Sequence, residues 1–87
     1  SLNLRFKLND KEKIILTSLY NFKNQNLSNR DIEKILKNKT GRVGMTGMII
    51  RRLIRKLKND NYNIIEEAAA GELIIYKFNE KGLNGGI

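Results

Sequence analysis

The 87-residue sequence has no cysteine, no histidine, no proline and no tryptophan. Without cysteine there is no disulfide, no thiolate nucleophile and no cysteine-bearing zinc site; without histidine there is no imidazole to move protons near neutrality. The chain therefore reads as non-enzymatic, with no cofactor or metal implied. No stretch of eighteen apolar residues occurs, and the N-terminal SLNLRFKLND lacks an apolar run of signal-peptide length. The expectation is a soluble, cytoplasmic protein with no membrane partner, associated with the nucleoid if cellular. Heavy use of Asn, Lys and Ile beside the missing residues is the bias of an AT-rich coding sequence, which speaks to source and not to function.

The most informative absence is local. Between Lys37 and Lys58 there is no Asp or Glu, yet eight cations fall there: Lys37, Lys39, Arg42, Arg51, Arg52, Arg55, Lys56 and Lys58. These eight equal the whole formal charge of +8, so the rest of the chain is balanced. Within the segment, TGMIIRRLIRKLK places Ile50, Leu53, Ile54 and Leu57 at the i, i+3, i+4, i+7 spacing of a helix buried along one stripe. Arg51, Arg52, Arg55 and Lys56 then fall on the other side. A solvated helix face ordinarily mixes both signs, because unmixed charges repel at i, i+4. An unmixed face fits an anionic partner, and a basic excess confined to one element fits nucleic acid.

At this length one small domain is expected, spanning residues 1–87. Residues 1–8 alternate apolar and polar, as in a short strand or arm. A helical pattern occupies residues 10–23, with Asn9 or Asp10 as N-cap and Asp10 and Glu12 near the positive dipole end. The Asn-rich stretch that follows reads as a loop. A second helix, 28–38, opens on Ser28 with Asp31 in the place of the capping-box Glu. A break carrying Gly41 and Gly44 separates it from a third helix, 46–58, with Thr46 as N-cap and Asn59-Asp60-Asn61 as its stop. Residues 62–78 turn to β-branched and aromatic composition around Ala68-Ala69-Ala70-Gly71, a β-hairpin. Residues 79–87 hold three of the seven glycines and should fray.

Three helices followed by a hairpin, the third helix basic, resembles the winged helix-turn-helix DNA-binding family, an α+β fold. The likeness is to the group that includes the N-terminal DNA-binding domain of the biotin repressor. It is carried by Leu27-Ser28-Asn29-Arg30-Asp31-Ile32, by Ile50-Arg51-Arg52-Leu53-Ile54-Arg55-Lys56-Leu57 and by Asn61-Tyr62-Asn63-Ile64-Ile65, and spans residues 13–78. The resemblance implies double-stranded DNA as partner, with the third helix in the major groove. Thr46, Met48, Ile49, Arg51 and Arg52 would then read base edges, and Arg55, Lys56 and Lys58 would hold the backbone. Met48 and Ile49 suit either a thymine methyl or a contact with another subunit. Ser28 and Arg30 at the start of the second helix, and Arg42 in the glycine turn, would add phosphate contacts, though capping alone explains Ser28 and flexibility alone explains the turn.

Two features depart from the family pattern. The break between the second and third helices is longer than the usual three or four residues. The wing carries Glu66, Glu67 and Glu72 where cations would favour DNA, so its role is expected to lie in a protein contact. Gly41 to Gly47 is not a phosphate-binding loop for nucleotides, because no Lys-Ser/Thr pair follows its last glycine. The expected function is sequence-specific duplex DNA binding by a homodimer, in transcription regulation or in phage or plasmid replication or partition. The rival is a protein-interaction or assembly module. RNA fits less well, since the aromatics are not grouped for stacking.

Overall fold

A computed structural model describes residues 7–42 and 44–84. Helix α1 spans Asp10–Asn21, strand β1 Leu27–Ser28, helix α2 Asn29–Thr40, helix α3 Thr46–Asn59, strand β2 Ile65–Ala70 and strand β3 Leu73–Phe78, and a 3₁₀ turn, η1, covers Glu80–Asn84. The expected arm at residues 1–8 falls almost wholly outside the described residues; Leu8 packs on the core.

Local chemistry sets each helix boundary. The Asn9 side chain accepts from the Glu12 amide at 2.8 Å while the Glu12 carboxylate accepts from the Asn9 amide at 2.9 Å, a reciprocal capping box that starts α1. Ser28 and Asp31 repeat the device at α2, with bonds of 3.1 and 2.9 Å. Helix α2 runs two residues past its expected end because Gly41, at φ 73, supplies the left-handed cap. Helix α3 starts differently from expectation. Thr46 is its first residue and not its cap; Met45 holds that place at φ 51, with no side-chain hydrogen bond. The cap is made by backbone geometry, which leaves the Thr46 side chain to be buried.

Ile15 and Leu19 of α1, Ile32 and Leu36 of α2, and Ile50, Leu53 and Leu57 of α3 meet Leu27, Ile64, Ile65, Tyr76 and Phe78 in one core. At roughly 1.5–3 kcal/mol for each large apolar side chain removed from water, this cluster is what holds the helices against the sheet.

The sheet is three-stranded and antiparallel, in the order β1-β3-β2. The third strand was not anticipated: Leu27 and Ser28 pair with Tyr76 and Ile75, so the residues that open α2 also anchor the wing. Two residues of strand are too short to leave a periodic trace in sequence. The hairpin turn also lies further along than expected. Ala68, Ala69 and Ala70 belong to β2, paired with Ile75, Ile74 and Leu73, and the turn is Gly71-Glu72. Gly71 at φ 62 is its only positive-φ residue, the pattern of a type II′ turn.

The expected fraying of the tail is overturned through residue 84. The Asn79 amide donates to the Ile64 carbonyl at 2.7 Å, and Gly82 lies so close to Asn63 that an added Cβ would sit 2.1 Å from its carbonyl oxygen. Glycine here permits a close approach of two backbones, not a loose end.

Candidate nucleic-acid interface

Helix α3 has two distinct sides. Ile50, Leu53 and Leu57 are buried, and Ile49 and Ile54 pack against the core from its flanks. Arg51, Arg52, Arg55 and Lys58 are all exposed, with Met48 beside them. Met48, Arg52 and Arg55 follow one another at i, i+4, i+7, and so do Arg51, Arg55 and Lys58, so two adjacent ridges carry four cations. The helix contains no carboxylate to offset them. Gly47, one turn before Arg51, has open space where a Cβ would stand.

Lys56 does not belong to this surface. Its ammonium turns back to α1 and donates to Glu12 Oε1 at 2.7 Å. Glu12 is 1% exposed, so its carboxylate carries a charge into the core that Lys56 and the Asn9 amide together satisfy. The sequence signal for half of this arrangement was the Asn9-Asp10-Lys11-Glu12 capping pattern. The other half spans 44 residues and leaves no local mark.

Three further expectations are corrected. Thr46 is buried and cannot reach a base edge. Ile49 is half-buried against the core instead of standing on the outer face. Ser28 is buried, with its hydroxyl accepting from the Asp31 amide and its own amide donating to the Asp31 carboxylate, so its polar atoms are committed to the cap. Arg30, in the first turn of α2, and Arg42, in the connection to α3, are exposed. The Arg42 amide donates to Thr40 Oγ1 at 3.3 Å, which ties the turn to the end of α2 and leaves the guanidinium outside. That connection runs from Gly41 to Met45, longer than the common turn of the motif.

The wing divides its carboxylates. Glu66 opposes Lys77 across the strands, and both line a groove of about 400 Å³ with Lys23 and Glu80, which are themselves joined at 2.6 Å. That ion pair, with the nearby Tyr20 ring, raises the Lys23 ammonium above its ordinary range. Glu72 sits in the hairpin turn. Glu67 lies on the opposite face from Glu66, opposing Tyr76, and with Gly47, Met48, Arg51, Ile74 and Tyr76 it lines a notch of about 290 Å³ between α3 and the sheet. Burial pushes the Tyr76 phenol above its ordinary pKa, the Glu67 charge adds to the rise and the Arg51 charge opposes it. Both charges therefore act on the phenol that floors the notch.

The remaining aromatics are divided. Tyr76 and Phe78 are core residues, whereas Tyr20 and Phe22 are exposed at the end of α1, Tyr20 meeting Phe78 edge-on at 5.3 Å. Among the described residues no helix is long and apolar enough to cross a membrane, and no group of three or more His, Cys, Asp or Glu is placed to hold a metal.

No protein-family profile matches the sequence, and no curated protein matches it. Solved structures do match. The complex structure of hsRosR-S1 superposes with a TM-score of 0.61 at 19% identity, covering 91% of this chain and 66% of that one. The ferric uptake regulator from Francisella tularensis, determined with iron, superposes with a TM-score of 0.64 at 21% identity, covering 92% of this chain and 58% of that one. The likeness is one of fold, a winged helix-turn-helix, and the chain spans less than two thirds of the ferric uptake regulator's length.

Proposed function

We propose that this winged helix binds double-stranded DNA through α3, non-enzymatically, as a regulatory protein or as a replication or partition protein of a phage or plasmid. The observation that carries the reading is the outer face of α3, where Arg51, Arg52, Arg55 and Lys58 stand exposed in a helix without a carboxylate. Cations arranged along one helix face match the phosphate spacing and the guanine O6/N7 pairs of a major groove. Met48, Arg51 and Arg52, nearer the helix start, are assigned to base edges, and Arg55 and Lys58 to the backbone. The open space at Gly47 lets a phosphate approach the first turn of α3, where Arg42 adds charge. Arg30 completes the set from α2. A homodimer would place two such helices on paired half-sites.

A fluorescent duplex titrated across a salt series tests this. Affinity should fall with salt at a log–log slope of about −0.9 per phosphate neutralised, and Arg51→Ala/Arg52→Ala/Arg55→Ala should lower the slope by about 2.7 with the fold intact by circular dichroism. A rival reading, docking of an acidic protein, is favoured by exposed Met45 and Met48, 73% and 47% accessible, beside the basic face. No duplex binding, or binding unchanged by the triple substitution, would move the case to that rival.

A further inference from the structure

We infer that Glu67 is a specificity residue, an internal counter-charge that competes for Arg51 and yields it only to a base edge offering two acceptors. The inference rests on the proposed DNA reading and deepens it.

Three observations lead to it. Strand alternation and register put Ile65, Glu67 and Ala69 of β2 on one face with Phe78, Tyr76 and Ile74 of β3. Ile65, Phe78 and Tyr76 of that face are buried, so Glu67 is a carboxylate inserted into the apolar stripe that turns toward α3, where a neutral side chain would satisfy the fold. Second, the notch it lines is shared with Gly47, Met48 and Arg51, the first half of the helix assigned to base reading. Third, the Tyr76 phenol responds to Glu67 and Arg51 in opposite directions, which places both charges at the same spot. Glu66 and Glu72 lack this setting: Glu66 is matched by Lys77 on the other face, and Glu72 stands in the turn.

A carboxylate beside a reading arginine changes which ligands gain from that arginine. A single phosphate oxygen offers Arg51 one more acceptor than water does, at the cost of repulsion from Glu67. Guanine offers O6 and N7 in the fork geometry of a guanidinium and carries no net charge to meet Glu67. Glu67 thus penalises backbone contact more than base contact, and sequence-independent binding weakens relative to specific binding.

The test is a double-substitution cycle read by fluorescence anisotropy on a short random-sequence duplex pool at low salt. Glu67→Gln should tighten random-duplex binding about threefold, the effect of one exposed counter-charge at close range, and the gain should vanish in an Arg51→Ala background. Glu72→Gln, at the turn, should give a smaller gain that Arg51→Ala leaves untouched. Selection from the same pool should yield a guanine-containing consensus with the parent chain and a flatter one with Glu67→Gln. A Glu67→Gln gain that persists in the Arg51→Ala background would mean general repulsion and overturn the assignment. Weakened binding by Glu67→Gln would make Glu67 itself a DNA contact and overturn it too. If no form binds duplex, the DNA reading has failed and this assignment goes with it, an outcome distinct from both others.

Discussion

Replacing Lys56 by alanine separates two accounts of the basic helix, because sequence pattern puts this residue among the DNA contacts and the structure puts it in a clamp on α1. Glu12 is almost fully buried, its side chain 2% accessible, while the Lys56 side chain is 33% accessible. Removing one partner of a fully buried ion pair costs about 3–5 kcal/mol, and an exposed pair is worth about 0–1 kcal/mol. A carboxylate buried on one side, with its partner one-third in water and one backbone amide still donating, lies between these limits, at about 2 kcal/mol. With a urea dependence of about 1–2 kcal/mol per molar for a domain of this size, the unfolding midpoint followed by far-ultraviolet circular dichroism should fall by about 1–2 M. The salt slope of duplex binding should not change. Arg55→Ala supplies the opposite signature, stability within about 0.5 kcal/mol of the parent and a slope lowered by about 0.9. Glu12→Gln combined with Lys56→Met should restore most of the loss, since glutamine still accepts from the Asn9 amide and no charge is left buried. A Lys56→Ala midpoint equal to the parent's, with a slope lowered by about 0.9, would refute the clamp and return Lys56 to the DNA surface.

Gly82→Ala should destabilise by about 1–3 kcal/mol in the same urea assay, because the new Cβ would meet the Asn63 backbone at 2.1 Å and η1 must shift or detach; an unchanged midpoint would mean the turn is not held there. Ser28→Ala should cost about 1 kcal/mol through the lost cap of α2 and leave the salt slope of duplex binding untouched, whereas a lowered slope with full stability would restore Ser28 as a phosphate contact. In alkali the folded Tyr76 phenol keeps its proton after the unfolded one has lost it at its ordinary 10.0, so stability from this group is present below pH 10 and lost as pH rises through the higher folded value. Lys23, also raised, from 10.5, contributes with the same sign, lost as pH rises through its folded value. Melting temperatures measured from pH 8 to 11 should therefore decline at the alkaline end, and Tyr76→Phe should flatten part of that decline.

The parts of this fold that were legible in sequence are those whose cause is local. The apolar stripe of α3, the Ser28–Asp31 cap and the change to period two after residue 62 each follow from residues within a few positions of one another. Glu12, Leu27 and Gly82 depend on partners far along the chain. Glu12 meets Lys56, Leu27 pairs with Tyr76, and Gly82 lies against Asn63. No window of a few residues contains such a pair, so Leu27 and Ser28 read as loop and cap, and Gly82 as part of a loose tail. The Thr46 expectation failed for a different reason. Threonine before a helical run is a good N-cap by composition, but Met45 takes a left-handed backbone and moves the boundary by one residue, which turns Thr46 inward.

That single-residue shift also decides how the candidate surface is built. With Thr46 and Ile49 packed inward and Lys56 tied to α1, the outer face of α3 narrows to Met48, Arg51, Arg52, Arg55 and Lys58. Arg51 borders the notch shared with Glu67, whereas Arg52, Arg55 and Lys58 do not line it. A phosphate backbone approaching from the wing would meet Glu67 and Glu72 before any free cation of the helix; one approaching from the side of α2 would meet Arg30, Arg42 and the Gly47 opening first. The charge distribution therefore favours a DNA approach over the α2–α3 connection with the wing lifted from the backbone. In that arrangement the extra length from Gly41 to Met45 supplies a contact with the phosphates that the acidic wing gives up.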